Sequence, residues 1–273
     1  MSLSQQLAPA LKQLRLSGIL ESLEVRTQQA IAEQWTYEEF LTRLAQDEVE
    51  RRAHKQLELR VRRGGIAATK TLETFDFSFN PTISRQQLFD LATCAFVREH
   101  RNVLICGQTG VGKSHLAQAV AHEAARQGFD ILFTSAHQML VQIQAGRADG
   151  TVDRRLASYV KPQLLVLDDF GLKPLPPSGP VDLYDVIAQR YERGSLVVTS
   201  NRAPSEWPEL FTDPLLASAA LDRLLHGARV VLIRGRSYRL AMPTAASLAS
   251  VATALEGKPE GPEGKEDIPA TTT

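Results

Sequence analysis

Only two cysteines, Cys94 and Cys106, occur in the chain, and they have no C-x-x-C spacing. That scarcity excludes a disulfide framework and a thiolate metal cluster. Cys106 lies in an apolar run, so both thiols are expected as small buried hydrophobes in a reducing setting. No apolar run approaches the length of a bilayer span. Met1-Ser2-Leu3-Ser4-Gln5 also lacks a charged region followed by an apolar core. No membrane partner and a cytoplasmic location are expected. Net charge is missing as well: 31 Lys and Arg balance 31 Asp and Glu, so whole-chain charge selects no class of partner.

What is present is an ordinary globular composition, 43% hydrophobic and 23% charged, over 273 residues. That length suits one core domain with a smaller appendage. Charge is uneven locally. Arg51, Arg52, Lys55, Arg60, Arg62, Arg63 and Lys70 face the single acid Glu58 between positions 51 and 70.

Residues 107–114 read Gly107-Gln108-Thr109-Gly110-Val111-Gly112-Lys113-Ser114, the G-x-x-x-x-G-K-[ST] phosphate-binding pattern. Before it runs Asn102-Val103-Leu104-Ile105-Cys106, short and apolar. After it Leu116, Ala119 and Val120 recur at helical spacing, which places the glycines on a strand-to-helix turn. Glycine suits 107 and 112 because the backbone must curl closely around phosphates and present its N–H groups as an anion nest. A nucleoside triphosphate is the expected ligand, with Lys113 reaching the β- and γ-phosphates and the Ser114 hydroxyl on Mg²⁺.

Downstream, Leu164-Leu165-Val166-Leu167-Asp168-Asp169 is an apolar strand ending in two carboxylates. A buried central strand delivers such acids to the carboxyl edge of a parallel sheet, beside the triphosphate. Asp168 is the expected metal carboxylate, mostly through water, and Asp169 the base for the attacking water. Ser195-Leu196-Val197-Val198-Thr199-Ser200 is a neighbouring strand that presents Asn201 to the γ-phosphate or the nucleophilic water. Arg223 lies on a helix beyond, with an arginine-finger role as its functional reading. Arg234, Arg236 and Arg239 cluster after the last strand, where any of them could meet phosphate.

Strands over 102–106, 130–135, 163–168, 195–200 and 229–234 alternate with helices over 113–127, 137–145, 181–193 and 215–226. That alternation predicts an α/β fold with helices on both faces of a parallel sheet. The first seventy residues read as helical, with Leu7, Leu11 and Leu14 before a breaker at Gly18 and Ile19, Leu20 and Leu23 after it. Thr36-Tyr37-Glu38-Glu39 is a capping-box helix start, Gly64-Gly65 a helix end, and Phe75 to Pro81 an extended linker. The domains are then 1–70 helical, 71–243 nucleotide-binding, and 244–273 a tail whose Gly, Pro and Glu content predicts disorder.

In order, the loop at 107–114, Asp168-Asp169, Thr199-Ser200-Asn201-Arg202 followed by Trp207, and Leu221-Asp222-Arg223-Leu224 resemble the AAA+ ATPases of the DnaA/DnaC/IstB branch. Within it, Leu14 to Gly18, the helix carrying Arg51 and Arg52, and the aromatic stretch 75–81 look most like IstB, the helper ATPase encoded beside the transposase of bacterial insertion sequences. The resemblance implies a P-loop AAA+ three-layer αβα sheet with a small N-terminal helical domain. Gly107 to Ser114 would be Walker A, Asp168 and Asp169 Walker B, Asn201 sensor 1 and Arg223 the arginine finger. Arg239 would join the nucleotide contacts.

It also implies ATP and Mg²⁺ as cofactors, homo-oligomers with composite ATP sites, binding to duplex DNA, and recruitment of a transposase encoded by the same insertion sequence. Arg51, Arg52, Lys55, Arg60, Arg62 and Arg63 are the residues suited to DNA phosphates. Asp169 stands where most AAA+ members have Glu, and the shorter side chain makes slow, partner-stimulated hydrolysis the expectation. Two other functions fit the same core: a helicase loader of the DnaC/DnaI type, and an ATP-binding switch or scaffold with little turnover.

Overall fold

The computed structural model describes residues 3–238. The proposed tail 244–273 and the nucleotide contact proposed for Arg239 lie outside the described residues. Three helices come first: α1 (Leu3–Gln13), α2 (Ser17–Glu33) and α3 (Tyr37–Arg63). Thr36 caps α3 in the expected capping box, its side chain accepting from Glu39 N while Glu39 answers the Thr36 N–H.

Gly18 is not the breaker expected of it. The turn falls at Arg15, φ +57°, and Gly18 lies in the first turn of α2, pressed against α3. A Cβ there would meet Glu48 Cα at 2.8 Å. The contact has a purpose: the Glu48 carboxylate accepts from Gly18 N at 2.6 Å and Ile19 N at 3.3 Å, capping α2 from another helix. Burial alone would raise the Glu48 pKa, but Arg52 and these two amides hold it below its ordinary value.

A second tie is the two-pronged pair of Arg26 with Asp47, at 2.8 and 2.7 Å. The Arg26 guanidinium holds the Asp47 carboxyl down at about 2. A depressed carboxylate stabilises the fold above its unfolded pKa of about 3.9, and that stability fades as pH falls through its folded value. Helical signal of the α2/α3 pair should therefore decline between about pH 4 and pH 2, and Asp47→Asn should remove that portion of the acid transition. Circular dichroism of both proteins against pH checks it; identical profiles would refute it.

Two helices absent from the sequence reading follow, α4 (Arg85–Ala92) and α5 (Ala95–Arg98). Next come β1 (Val103–Gly107), α6 (Lys113–Arg126), β2 (Ile131–Ser135) and α7 (Ala136–Ala148). A further unanticipated helix, α8 (Val152–Val160), precedes β3 (Leu164–Phe170). The chain continues through α9 (Gly179–Arg190), β4 (Ser195–Ser200), a 3-10 turn at Pro204–Leu210, α10 (Pro214–Leu225) and β5 (Arg229–Ile233).

The five strands are parallel in the order β2-β3-β4-β1-β5. Alternate side chains fill opposite faces, as the two-residue period demands. Val103, Ile105, Val166 and Val197 meet Leu116, Val120 and Leu88 on one side. Leu104, Cys106, Leu165 and Val198 meet Met139, Leu183 and Leu221 on the other. Both cysteines are buried and free, and burial pushes each thiol up to about 11. No helix among the described residues is long and apolar enough to cross a membrane.

The stretch 75–81 is a series of turns rather than an extended linker. Phe75 and Phe77 pack against the core, and Glu73 pairs with Arg126 of α6 at 2.7 Å. The helical segment is joined to the sheet in the same way. Phe133 N on the outer strand β2 donates to Gly64 O at 2.7 Å, and Val61 and Ile66 belong to the core.

Candidate functional site

The carboxyl edge of the sheet gathers Gly107 at the end of β1, Asp168 and Asp169 in β3, and Asn201 just past β4. Since β4 lies between β1 and β3, Asn201 emerges between the glycine loop and the two acids. Gly110 and Gly112 take φ of +85° and +97°, left-handed values that favour glycine and are the backbone conformation from which anion nests are built. Lys113 is buried, and its Nζ donates to Gln108 O at 2.9 Å, so the ammonium arches over the loop it belongs to. Ser114 follows in the first turn of α6, whose positive end points at the same place.

Two segments hold the loop from outside. A Cβ on Gly112 would come within 2.9 Å of the Phe75 ring. His115 Nε2 meets Thr71 O at 3.1 Å, and burial lowers the pKa of that imidazole. From the other end of the domain, Tyr238 N donates to Gly110 O at 2.9 Å, while the Tyr238 and Phe79 rings meet edge to face at 4.8 Å. Neither contact was foreseen from sequence.

The acids are sorted by a break in the ladder. Pairing of β3 with β4 shifts register between Leu167 and Phe170, and Asp169 takes φ +55°. A non-glycine residue held there is uncommon and is tolerated by Asp and Asn more than by most. The bulge leaves Asp168 buried and Asp169 exposed. Thr199 fixes both: its hydroxyl donates to Asp168 Oδ1 and accepts from Asp169 N at 3.0 Å. Sequence reading quoted Thr199 within Thr199-Ser200-Asn201-Arg202 but gave it no role of its own. The signal was there, since a hydroxyl buried in a central strand needs a partner.

Among the described residues, no group of three or more His, Cys, Asp or Glu side chains could hold a metal by itself. Two donors stand at the carboxyl edge, the Ser114 hydroxyl at the start of α6 and the Asp168 carboxylate in β3, and both are hard oxygens. They fit a magnesium ion that keeps most of its water and takes its remaining ligands from phosphate.

Arg223 lies elsewhere. It lines a cavity with Asn102, just before β1, and Leu196, at the start of β4, which puts it at the amino edge of the sheet, opposite the glycine loop. Its Nη1 donates to Ala219 O at 2.8 Å and its guanidinium rests 5.5 Å from the Tyr184 ring centroid. It therefore does not reach the nucleotide loop of its own chain. Of the basic run, Arg51 pairs with Glu21 at 3.0 Å and Arg52 with Glu48 at 2.6 Å, whereas Lys55, Arg62 and Arg63 are exposed. Arg60 is half-buried, near Gly128.

Residues 9–246 match the model of the family described as IstB-like ATP binding protein. The chain belongs to this family. An insertion-sequence ATP-binding protein of Mycobacterium tuberculosis is 39% identical over 84% of this chain and 92% of its own length. The ATP-binding protein of insertion sequence IS21 of Pseudomonas aeruginosa is 34% identical over 86% of this chain and 89% of its own. Among solved structures, the replication initiator DnaA bound to AMPPCP and single-stranded DNA superposes with a TM-score of 0.52 at 20% identity. That match covers 70% of this chain and spans 56% of the DnaA chain. DnaI superposes with a TM-score of 0.52 at 21% identity, over 60% of this chain and 90% of its own. These likenesses establish the AAA+ fold, and the IstB-like family is one of ATP-binding proteins of insertion sequences.

Proposed function

We propose that this IstB-like chain is an ATP-dependent DNA-binding helper of transposition, acting in the cytoplasm, which assembles on duplex target DNA and recruits and stimulates the transposase of its insertion sequence. The observation that carries the reading is the nucleotide edge: the glycine nest, Lys113, Asp168 and Asp169 in a chain whose relatives are insertion-sequence ATP-binding proteins. Gly107 to Ser114 hold the phosphates, and Ser114 and Asp168 hold magnesium, which would neutralise charge developing on the transferred phosphoryl group. Asp169 takes the proton of the attacking water, Asn201 orients that water, and hydrolysis is slow until a partner speeds it.

Arg223 completes the site in trans. An arginine at the amino edge of the sheet suits a homo-oligomer in which one copy's amino edge abuts the next copy's nucleotide. Residues 1–70 are the DNA- and partner-binding unit and 71–243 the ATPase. The exposed Lys55, Arg62 and Arg63, in the last nine residues of α3, are the leading phosphate contacts, with Arg60 among them. Arg51 and Arg52 contribute less, since Glu21 and Glu48 already claim them.

Purified protein titrated onto long random-sequence duplex DNA with ATP, with ADP and with no nucleotide, across a salt series, tests this. The expected result is ATP-dependent assembly whose log affinity falls with log salt by about 0.9 per phosphate contact. Lys55→Ala with Arg62→Ala should flatten the slope by about 2. Absence of duplex binding under every nucleotide condition would favour a helicase loader, whose resemblance rests on the fold shared with DnaI.

A further inference from the structure

Arg190, at the end of α9, is 1% exposed, and no carboxylate among the described residues pairs with it. Its Nη1 donates to the carbonyls of Tyr159 at 2.9 Å, Val160 at 3.0 Å and Pro162 at 2.7 Å. Its Nη2 donates to Gln163 O at 3.2 Å and Ser195 O at 2.7 Å. Five carbonyls satisfy the amino groups but leave the positive charge unanswered. Nε is buried with no partner. Burial pushes the guanidinium down to about 10.

The same side chain is one wall of a cavity of about 120 Å³ at the amino edge of the sheet. One water needs roughly 10–15 Å³ on that measure, so the space admits a tetrahedral oxyanion. Arg101 and Arg223 also line it, against Glu99 and Glu192, with Asn102 as a neutral donor. Three arginines against two glutamates leave an excess of positive charge, and both glutamates are exposed. Arg101 meets Glu99 at 3.3 Å, a surface pair that an incoming anion can displace.

We infer that this cavity is a phosphate-oxyanion site whose donors are Arg101 and Arg223, nearer solvent, with Arg190 behind them as a buried positive charge whose N–H groups serve the carbonyls. Two sources supply that chemistry. One is orthophosphate, the product of ATP hydrolysis. The other is the terminal phosphate of ATP held by a second copy, which rests on the trans reading of Arg223 given above. On that second source Arg101 is a further arginine for the neighbour's nucleotide. The cavity and its excess of positive charge do not depend on it.

Orthophosphate titrated into the full chain, followed by calorimetry, is the test, with Lys113→Ala used to silence the chain's own glycine loop. Binding should persist in Lys113→Ala. It should weaken at least about tenfold when Arg101→Gln is added, since the lost contact is charge-assisted. Arg101 is exposed, so the melting temperature should hold. Loss of binding in Lys113→Ala alone would place the phosphate in the glycine loop, and equal binding with and without Arg101→Gln would place it away from the cavity; either overturns the inference.

To separate the sources, Lys113→Ala and Arg101→Gln proteins are mixed with ATP and duplex DNA. Hydrolysis above the average of the two proteins alone assigns the neighbour's phosphate, because one copy then supplies the cavity and the other the nucleotide. A mixture that gains nothing, with orthophosphate binding intact, overturns the trans source and leaves the free anion. Arg223→Gln in place of Arg101→Gln, run in the same mixture, tests the finger reading by itself.

Discussion

Asp169→Asn is expected to bind ATP within about twofold of the unaltered protein and to hydrolyse it about 10²–10⁴-fold more slowly, the usual loss on removing a general base. Binding should survive because the glycine loop and the Asp168–Thr199 contact remain. Asparagine also tolerates the left-handed conformation that the bulge imposes at this position, φ +55°, so the substitution changes the chemistry and spares the backbone. ATP favours the assembled state by mass action, so the variant should load onto DNA and then fail to leave it. A stopped filter-binding chase with unlabelled duplex, run beside a phosphate-release assay, reads both effects. Normal release from DNA by a variant that cannot hydrolyse ATP would show that the nucleotide's presence, and not its turnover, governs disassembly.

Arg190→Met should destabilise the fold by about 3–5 kcal/mol, because methionine fills part of the space and satisfies none of the five carbonyls the guanidinium now serves. For a chain of this size that is a drop of roughly 8–15 °C in melting temperature. Arg190→Lys, with three donors in place of five and no planar fork, should recover part of the loss and no more. Differential scanning calorimetry of the three proteins decides it. A methionine variant as stable as the parent would mean that the end of α8 and the turn after it find water for their carbonyls and that α9 does not hold them.

These two residues also mark where sequence reading succeeds and where it stops. The place of Asp169 near the end of a strand was legible because its neighbours in the chain carry the pattern: an apolar strand ending in acids, downstream of a glycine loop. The strand and helix alternation was legible for the same reason, since periods of 2 and 3.6 residues are local. Arg190 carries no local signal. It looks like any arginine closing a helix, and its role follows from the convergence of the end of α8, the turn after it and the start of β4. Thr199, Tyr238 over Gly110, and Glu48 capping α2 from α3 likewise depend on partners about thirty or more positions away. Gly18 was misread because a glycine near a helix start signals a break by propensity, and here close packing of two helices requires it instead.

Helix α3 runs 27 residues and ends with the carbonyl of Gly64 bonded into the outer strand of the sheet. At 1.5 Å per residue it is a lever arm about 40 Å long, hinged on β2. A tilt of about 3° at the hinge would sweep its far end through about 2 Å. Because α2 is buttoned to it by Glu48 and Asp47, the pair would swing as one beam. Small adjustments at the sheet would thereby be magnified at the tip of the beam, and forces applied at the tip would fall on the strand beside the one that carries Asp168 and Asp169.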